Sequence, residues 1–248
     1  MKNTVKIIGV TLALILFSCT DDTMSDETET ASTLSNSNTQ KRTTGSISKI
    51  WDFNDLNEWE DATQIGDPNY FIDNNGYLNI FTHANTYDRA KVKSVSTYAT
   101  GTYSWRVYVP AMGEGDQASI GAFLYNNDTH ELDFEIGYGK LTERAEMNAQ
   151  ADELLVYMTS QANPFQSIKH KIKTENWYTL KIELTLVNRK YHAKWSINEE
   201  ELVATPLNYN SKFKFKIFCS VENLTFIGDH IPSSDNYAQF DWVEFKSN

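Results

Sequence analysis

Three carboxylates stand at alternate positions in the run Glu131-Leu132-Asp133-Phe134-Glu135. In an extended strand successive side chains leave on opposite faces, so Glu131, Asp133 and Glu135 share one face. Leu132, Phe134 and Ile136 share the other and can enter a core. Asp is a poor strand former, and like charges two residues apart on one face repel, so such a row is costly to keep. At ~3.4 Å per residue the Cα atoms of Glu131 and Glu135 lie about 13 Å apart, and leaning side chains bring the carboxyls to roughly 5–6 Å. At that separation one carboxylate can attack a glycosidic carbon while the other protonates the leaving oxygen, with net retention. Asp133 between them disfavours ionising both neighbours and raises the pKa of whichever Glu holds a proton. In a chain this acidic, the competing reading is a solvated outer face.

Holding such a row requires a sheet. Period-two alternation dominates from Ile47 onward, as in Tyr103-Ser104-Trp105-Arg106-Val107-Tyr108-Val109, Leu180 to Leu184, Tyr191 to Ile197 and Phe240 to Phe245. Turn clusters such as Asp73-Asn74-Asn75-Gly76 and Met112-Gly113-Glu114-Gly115 separate the runs, and no helical stripe exceeds about two turns. The pattern predicts an all-β, two-sheet β-sandwich of the jelly-roll kind. Ser119–Tyr125 and Glu131–Tyr138 read as a hairpin across Asn126–Thr129, which sets the acidic row on the outer, concave face of a sheet. Trp105, Trp195 and Trp242 fall on apolar-alternating faces and read as core. Tyr125, Trp177 and Tyr138 are the cleft candidates, Tyr138 reaching the acidic face only through a bulge at Gly137.

These residues together resemble glycoside hydrolase family 16. Thr102 to Pro110 is similar to that family's strand before a Gly-containing turn. Ile120-Gly121-Ala122-Phe123-Leu124-Tyr125 is similar to the strand that follows, and the acidic strand comes next in the family's order. Trp177-Tyr178-Thr179-Leu180 and Asp241-Trp242-Val243-Glu244-Phe245 resemble later strands. The likeness spans about Ser48 to Phe245 and is firmest from Thr102 to Gly139. It implies a jelly-roll, concanavalin A-like fold and retaining hydrolysis of a β-linked polysaccharide. By motif position, Glu131 corresponds to the nucleophile, Asp133 to the assisting carboxylate and Glu135 to the acid/base. With no extra residue between Asp133 and Glu135, the strand is more similar to the mixed-linkage glucanase and xyloglucan branches than to the bulged ones. Tyr125 stands where many relatives have Trp, Trp177 near where many have His, and Thr142–Gln161 matches nothing. The resemblance also implies a structural calcium ion held by Asp241 and no cofactor required for the chemistry. A lectin-like protein that binds glycan without turnover is the alternative from another class.

Residues 1–18, with Lys2 and Lys6 before an apolar run, read as a signal peptide, and the ending Leu16-Phe17-Ser18-Cys19 resembles a lipoprotein cleavage box with Cys19 lipidated. Residues 19–46, rich in Ser, Thr, Asp and Glu, read as a solvated tether, leaving 47–248 as one domain. The expected setting is an exported protein, lipid-anchored at the outer membrane or surface of a Gram-negative cell, touching the membrane through the lipid alone and working as a monomer. Removing residues 1–18 takes away two lysines and no acid, so the formal charge falls from −11 to −13. That balance argues against nucleic acid and fits a neutral or cationic ligand better than a polyanion, the expected partner being a polysaccharide or oligosaccharide. Cys219 continues the apolar face of Phe213, Phe215 and Ile217 and reads as a core thiol. No metal-ligand spacing, nucleophile-His-Asp ordering or phosphate-binding Gly loop is present.

Overall fold

The computed structural model describes residues 47–248. The expected signal peptide, the lipidation candidate Cys19 and the expected tether lie outside the described residues. In chain order the strands are β1 (Ser48–Trp51), β2 (Trp59–Asp61), β3 (Tyr70–Ile72), β4 (Leu78–Thr82) and β5 (Arg89–Ser94). Then come β6 (Gly101–Val109), β7 (Ala118–Asn127), β8 (His130–Gly137), the short helix α1 (Leu141–Met147), β9 (Glu153–Ser160) and β10 (Gln166–Lys173). The rest are β11 (Asn176–Val187), β12 (Lys190–Ile197), β13 (Glu200–Pro206), β14 (Lys216–Asn223) and β15 (Asn236–Lys246).

They form two antiparallel sheets stacked face to face. One runs β13-β12-β11-β6-β15-β4-β3, with β1 also paired to β15; the other runs β10-β9-β8-β7-β14-β5-β2. The alternating apolar residues meet between them. Trp105, Val107, Leu180 and Ile182 of the first sheet pack in one core with Ile120, Leu124, Phe134 and Ile217 of the second, all fully buried. Two indoles also reach polar partners across the sandwich. Trp105 Nε1–H donates to the Phe218 carbonyl at 3.1 Å and Trp195 Nε1–H to the Asp133 carbonyl at 3.0 Å. Both groups are buried and would otherwise go unsatisfied.

The β7–β8 hairpin forms as expected, with Tyr125 opposite Glu131, Phe123 opposite Asp133 and Gly121 opposite Glu135. Leu132, Phe134 and Ile136 are buried in the core, and Cys219 is a buried free thiol. Trp242 departs from the expectation. The β15 register slips between Phe240 and Trp242. Phe240 and Val243 both turn inward, while Trp242 moves to the outer face opposite Arg106, half-buried. A bulge at Asp241 shifts the parity that the alternation implied.

Because Phe134 anchors the acidic strand from the core side, Phe134→Ala should lose about 3–5 kcal/mol of stability in urea unfolding. Val187→Ala, at a site 53% exposed, should change stability by less than about 0.5 kcal/mol.

Candidate active site

The outer face of the seven-stranded sheet carries the acidic row. β8 sits between β7 and β9, so its backbone is fully paired and its side chains have fixed directions. Glu131 and Glu135 line one cleft of about 230 Å³, with Tyr125, Phe123 and Phe218 as aromatic wall and Lys91, Gln64 and Glu222 at the far side. Glu135 also lines a second hollow of about 260 Å³ over β9 and β10, with Tyr157, Gln161, Phe165 and Phe226. The two hollows meet at Glu135. The resulting groove crosses the strands, and its centre is the acidic row.

Asp133 is 1% exposed, beneath its two neighbours. Gln161 Nε2–H donates to its Oδ2 at 2.7 Å, while its Oδ1 is buried without a partner. A second buried orphan is Ser220 Oγ, across β7 on the same face. Paired polar groups are the rule in protein interiors, so two orphans on the floor of one groove mark a place where a ligand or shared proton belongs. Gly121, between Ser220 and Glu135, keeps that floor open, since a β-carbon there would collide with Ser220 Oγ.

The electrostatics separate the three acids from ordinary surface carboxylates. Burial pushes Glu135 from 4.5 up to about 8, helped by the charge of Glu222 and opposed by a hydrogen bond donated by Ser119 Oγ–H. Burial likewise raises Glu131 to about 7, with Lys91 pulling it back down. Asp133 lies well above its usual range, through burial first and the two flanking glutamates next. The row therefore holds protons at neutral pH, because ionising all three would crowd like charges in a poorly solvated space.

Beside it lies a basic counterweight. Glu222 is 2% exposed and its Oε2 accepts from Lys91 Nζ at 2.7 Å and Arg89 Nε at 2.6 Å; Lys91, 4% exposed, also donates to Gln64 Oε1 at 3.2 Å. These residues escaped the sequence reading because Lys91 and Glu222 stand 131 positions apart. The available signal was Arg89-Ala90-Lys91-Val92-Lys93, a strand pattern with cations on the face opposite its apolar residues.

Of the expected cleft residues, the structure brings Tyr125 to Glu131 and leaves two elsewhere. Tyr125 lines the cleft with its hydroxyl donating to Asp128 Oδ1 at 2.8 Å. Trp177 belongs to β11 of the other sheet, opposite Tyr108, and packs on the outer face with Tyr77 and Tyr108 at ring separations of 5.1 and 5.5 Å. The whole core separates it from the acids. Tyr138 keeps the parity of the core side, packs against the core and lies under the Arg144 guanidinium at 3.7 Å. No bulge at Gly137 redirects it. Asp241 sits at the β15 bulge, and among the described residues no group of three or more His, Cys, Asp or Glu is placed to hold a metal ion.

No protein-family model and no curated protein sequence matches the chain. Solved structures do. A Bacteroides ovatus mixed-linkage glucan GH16 protein in complex with a G4G4G3G product aligns at 13% identity and TM-score 0.57, covering 79% of this chain and 99% of that one. A Bacillus licheniformis β-glucanase aligns at 14% and 0.56, covering 81% and 98%. The laminarinase catalytic domain of Thermotoga maritima aligns at 13% and 0.56, covering 81% and 97%. The chain shares the jelly-roll fold of these glucanases and laminarinases over nearly their whole length.

The raised acids fix a sign for stability against pH. Folded Glu131 and Glu135 bind protons more tightly than the unfolded chain, so their contribution falls as pH rises from about 4.5 to about 8. Glu135→Gln cannot ionise. Its melting temperature should match wild type near pH 4 and exceed it at pH 8 by the equivalent of about 1–2 kcal/mol, a discounted figure because Glu135 keeps partial solvent contact. A difference between the two proteins that stays constant across that range would contradict the assignment.

Proposed function

We propose that the groove hydrolyses β-linked polysaccharide with retention, as a glycosidase of the family 16 type. The observation that carries the reading is the acidic row itself: three carboxyls on one strand, their proton affinities raised by burial and by one another, at the centre of a groove that crosses the sheet. Fold neighbours described as glucanases and laminarinases support it.

In this reading Glu131, which Lys91 helps to ionise, attacks the anomeric carbon. Glu135, the Glu with the higher pKa, gives its proton to the departing glycosidic oxygen as the C–O bond breaks, leaving a glycosyl ester on Glu131. Glu135, now a carboxylate, takes a proton from water. The resulting hydroxide bonds to the anomeric carbon and Glu131 leaves as carboxylate. Asp133 tunes the pair: a proton on its unpartnered Oδ1 is a donor for a flanking carboxylate, and Gln161 holds its other oxygen. Tyr125, Phe123 and Phe218 give an apolar wall against which sugar rings pack. If Cys19 anchors the chain outside the cell, its substrate is a polymer met there.

The second reading, glycan binding without turnover, draws on the absence of any Trp from the residues lining the two hollows. The two readings separate in one assay. The full chain is offered mixed-linkage glucan, xyloglucan, laminarin, agar and carrageenan, and reducing ends are counted. Glu131→Gln should lower release by about 10³-fold or more with its melting temperature at pH 5 unchanged. Saturable binding with no new reducing ends from any polymer would favour the binder instead.

A further inference from the structure

One end of the groove is basic although the chain is strongly acidic. Lys93, Lys214 and Lys216 line a recess of about 220 Å³ that lies beyond Tyr125. Lys93, Tyr125 and Phe218 line both this recess and the acidic cleft, so the two spaces are continuous. Strand parity delivers the lysines. Phe215 and Ile217 turn into the core, leaving Lys214 and Lys216 on the outer face, with Lys216 opposite Tyr125. Lys93 stands opposite Phe218 on the adjoining strand.

The ammonium groups already show what they can hold. Those of Lys216 and Lys93 converge on a single oxygen, Glu60 Oε2, at 3.1 and 3.5 Å. Lys214 is exposed and makes no ion pair among the described residues. The recess is lined by three lysines and no carboxylate; with Glu60 held by two of them and Asp128 bonded to the Tyr125 hydroxyl at its edge, the lysines still leave a local surplus of positive charge. Charges farther off than about 8 Å are screened at physiological salt, so this surplus, and not the net charge of the chain, sets the potential inside the recess. The hydroxyls of a neutral glucan have no need of three ammonium groups. A sugar ring bearing an anion does: the ring packs against Tyr125 and Phe218, and its acidic oxygens accept charge-assisted hydrogen bonds from the lysines.

We propose that this recess is a subsite for an anionic sugar unit, bearing a sulfate ester or a carboxylate, of the polymer lying along the groove. Glu60 is the group an incoming anion displaces or joins. The proposal rests on the glycosidase reading only for which bond is cut, since the subsite would bind the same unit in a protein without turnover.

The test measures binding and turnover separately, on the full chain. Binding is followed by affinity electrophoresis and calorimetry with laminarin against chemically sulfated laminarin, and with carrageenan and a polyuronate as natural sulfate and carboxylate polymers. Wild type should bind at least one anionic polymer about tenfold more tightly than its neutral counterpart at 0.1 M salt, and the preference should shrink as salt rises. Lys214→Ala/Lys216→Ala should abolish the preference and keep binding of neutral glycan. The control Lys181→Ala/Lys194→Ala removes the same charge from β11 and β12 of the other sheet, where the lysines pair with Glu199 and Glu201, and should retain it. Loss limited to sulfated polymers, or to the polyuronate, identifies the anion. Equal binding of neutral and charged forms, or equal loss in both double variants, overturns the subsite. Anion-selective binding without reducing-end release would uphold the subsite and remove the hydrolase reading; release without anion selectivity would do the reverse.

Discussion

Everything in the groove depends on β8 being held from behind. Leu132, Phe134 and Ile136 are fully buried in the core, and the strand is paired on both edges. With those anchors in place, strand geometry leaves the three acids one direction to point. Trp195 adds a fixed point by holding the carbonyl of Asp133 from the opposite sheet. The cost of crowding three carboxyls is met by the packing on the other face of the same residues' strand, several kcal/mol per large side chain. Raised pKa values are then a consequence of position, since the acids cannot move apart, the two glutamates are only partly solvated and Asp133 is closed off from water.

The same constraint shapes the neighbours. A row of protonated and ionised carboxyls under one roof needs a nearby cation, and Lys91 supplies it without pairing directly to the row. Its own partner is Glu222, so the positive charge is itself held in place and partly offset. For Glu131 that cation is the largest influence after burial, whereas for Glu135 the charge of Glu222 and the hydrogen bond from Ser119 both come before it. Two residues of one type, four positions apart, thus meet different surroundings, which is how chemically equivalent groups come to hold different roles.

The sandwich, the β7–β8 hairpin and the acidic face were legible because each follows from alternation within a single strand. Tyr125 was legible for the same reason, standing across one hairpin from Glu131. Trp177 was misplaced because strand parity does not say which sheet a strand joins; β11 pairs with β6, far from β8. Trp242 was misplaced by a single extra residue at Asp241, invisible in a pattern that looks regular. Lys91, Glu222 and Gln161 were missed because their meeting depends on strand order, a long-range property that local periodicity does not encode. The aromatic wall at Phe123 and Phe218, stacked at 4.6 Å, arises in the same way from β14 lying beside β7.

That placement of β14 has a bearing on how the chain acquires its site. β14 begins at Lys216 yet lies between β7 and β5, strands that begin 98 and 127 residues earlier. Until it slots in, β5 and β7 each present an open edge, Lys91 has no Glu222, and half of the groove's floor does not exist. A nascent chain can close the β7–β8 hairpin early and so set the acids side by side, but the surroundings that tune them arrive only with nearly the last strand. The groove is therefore complete only once β14 has docked, and until then the three acids lack the neighbours that tune them.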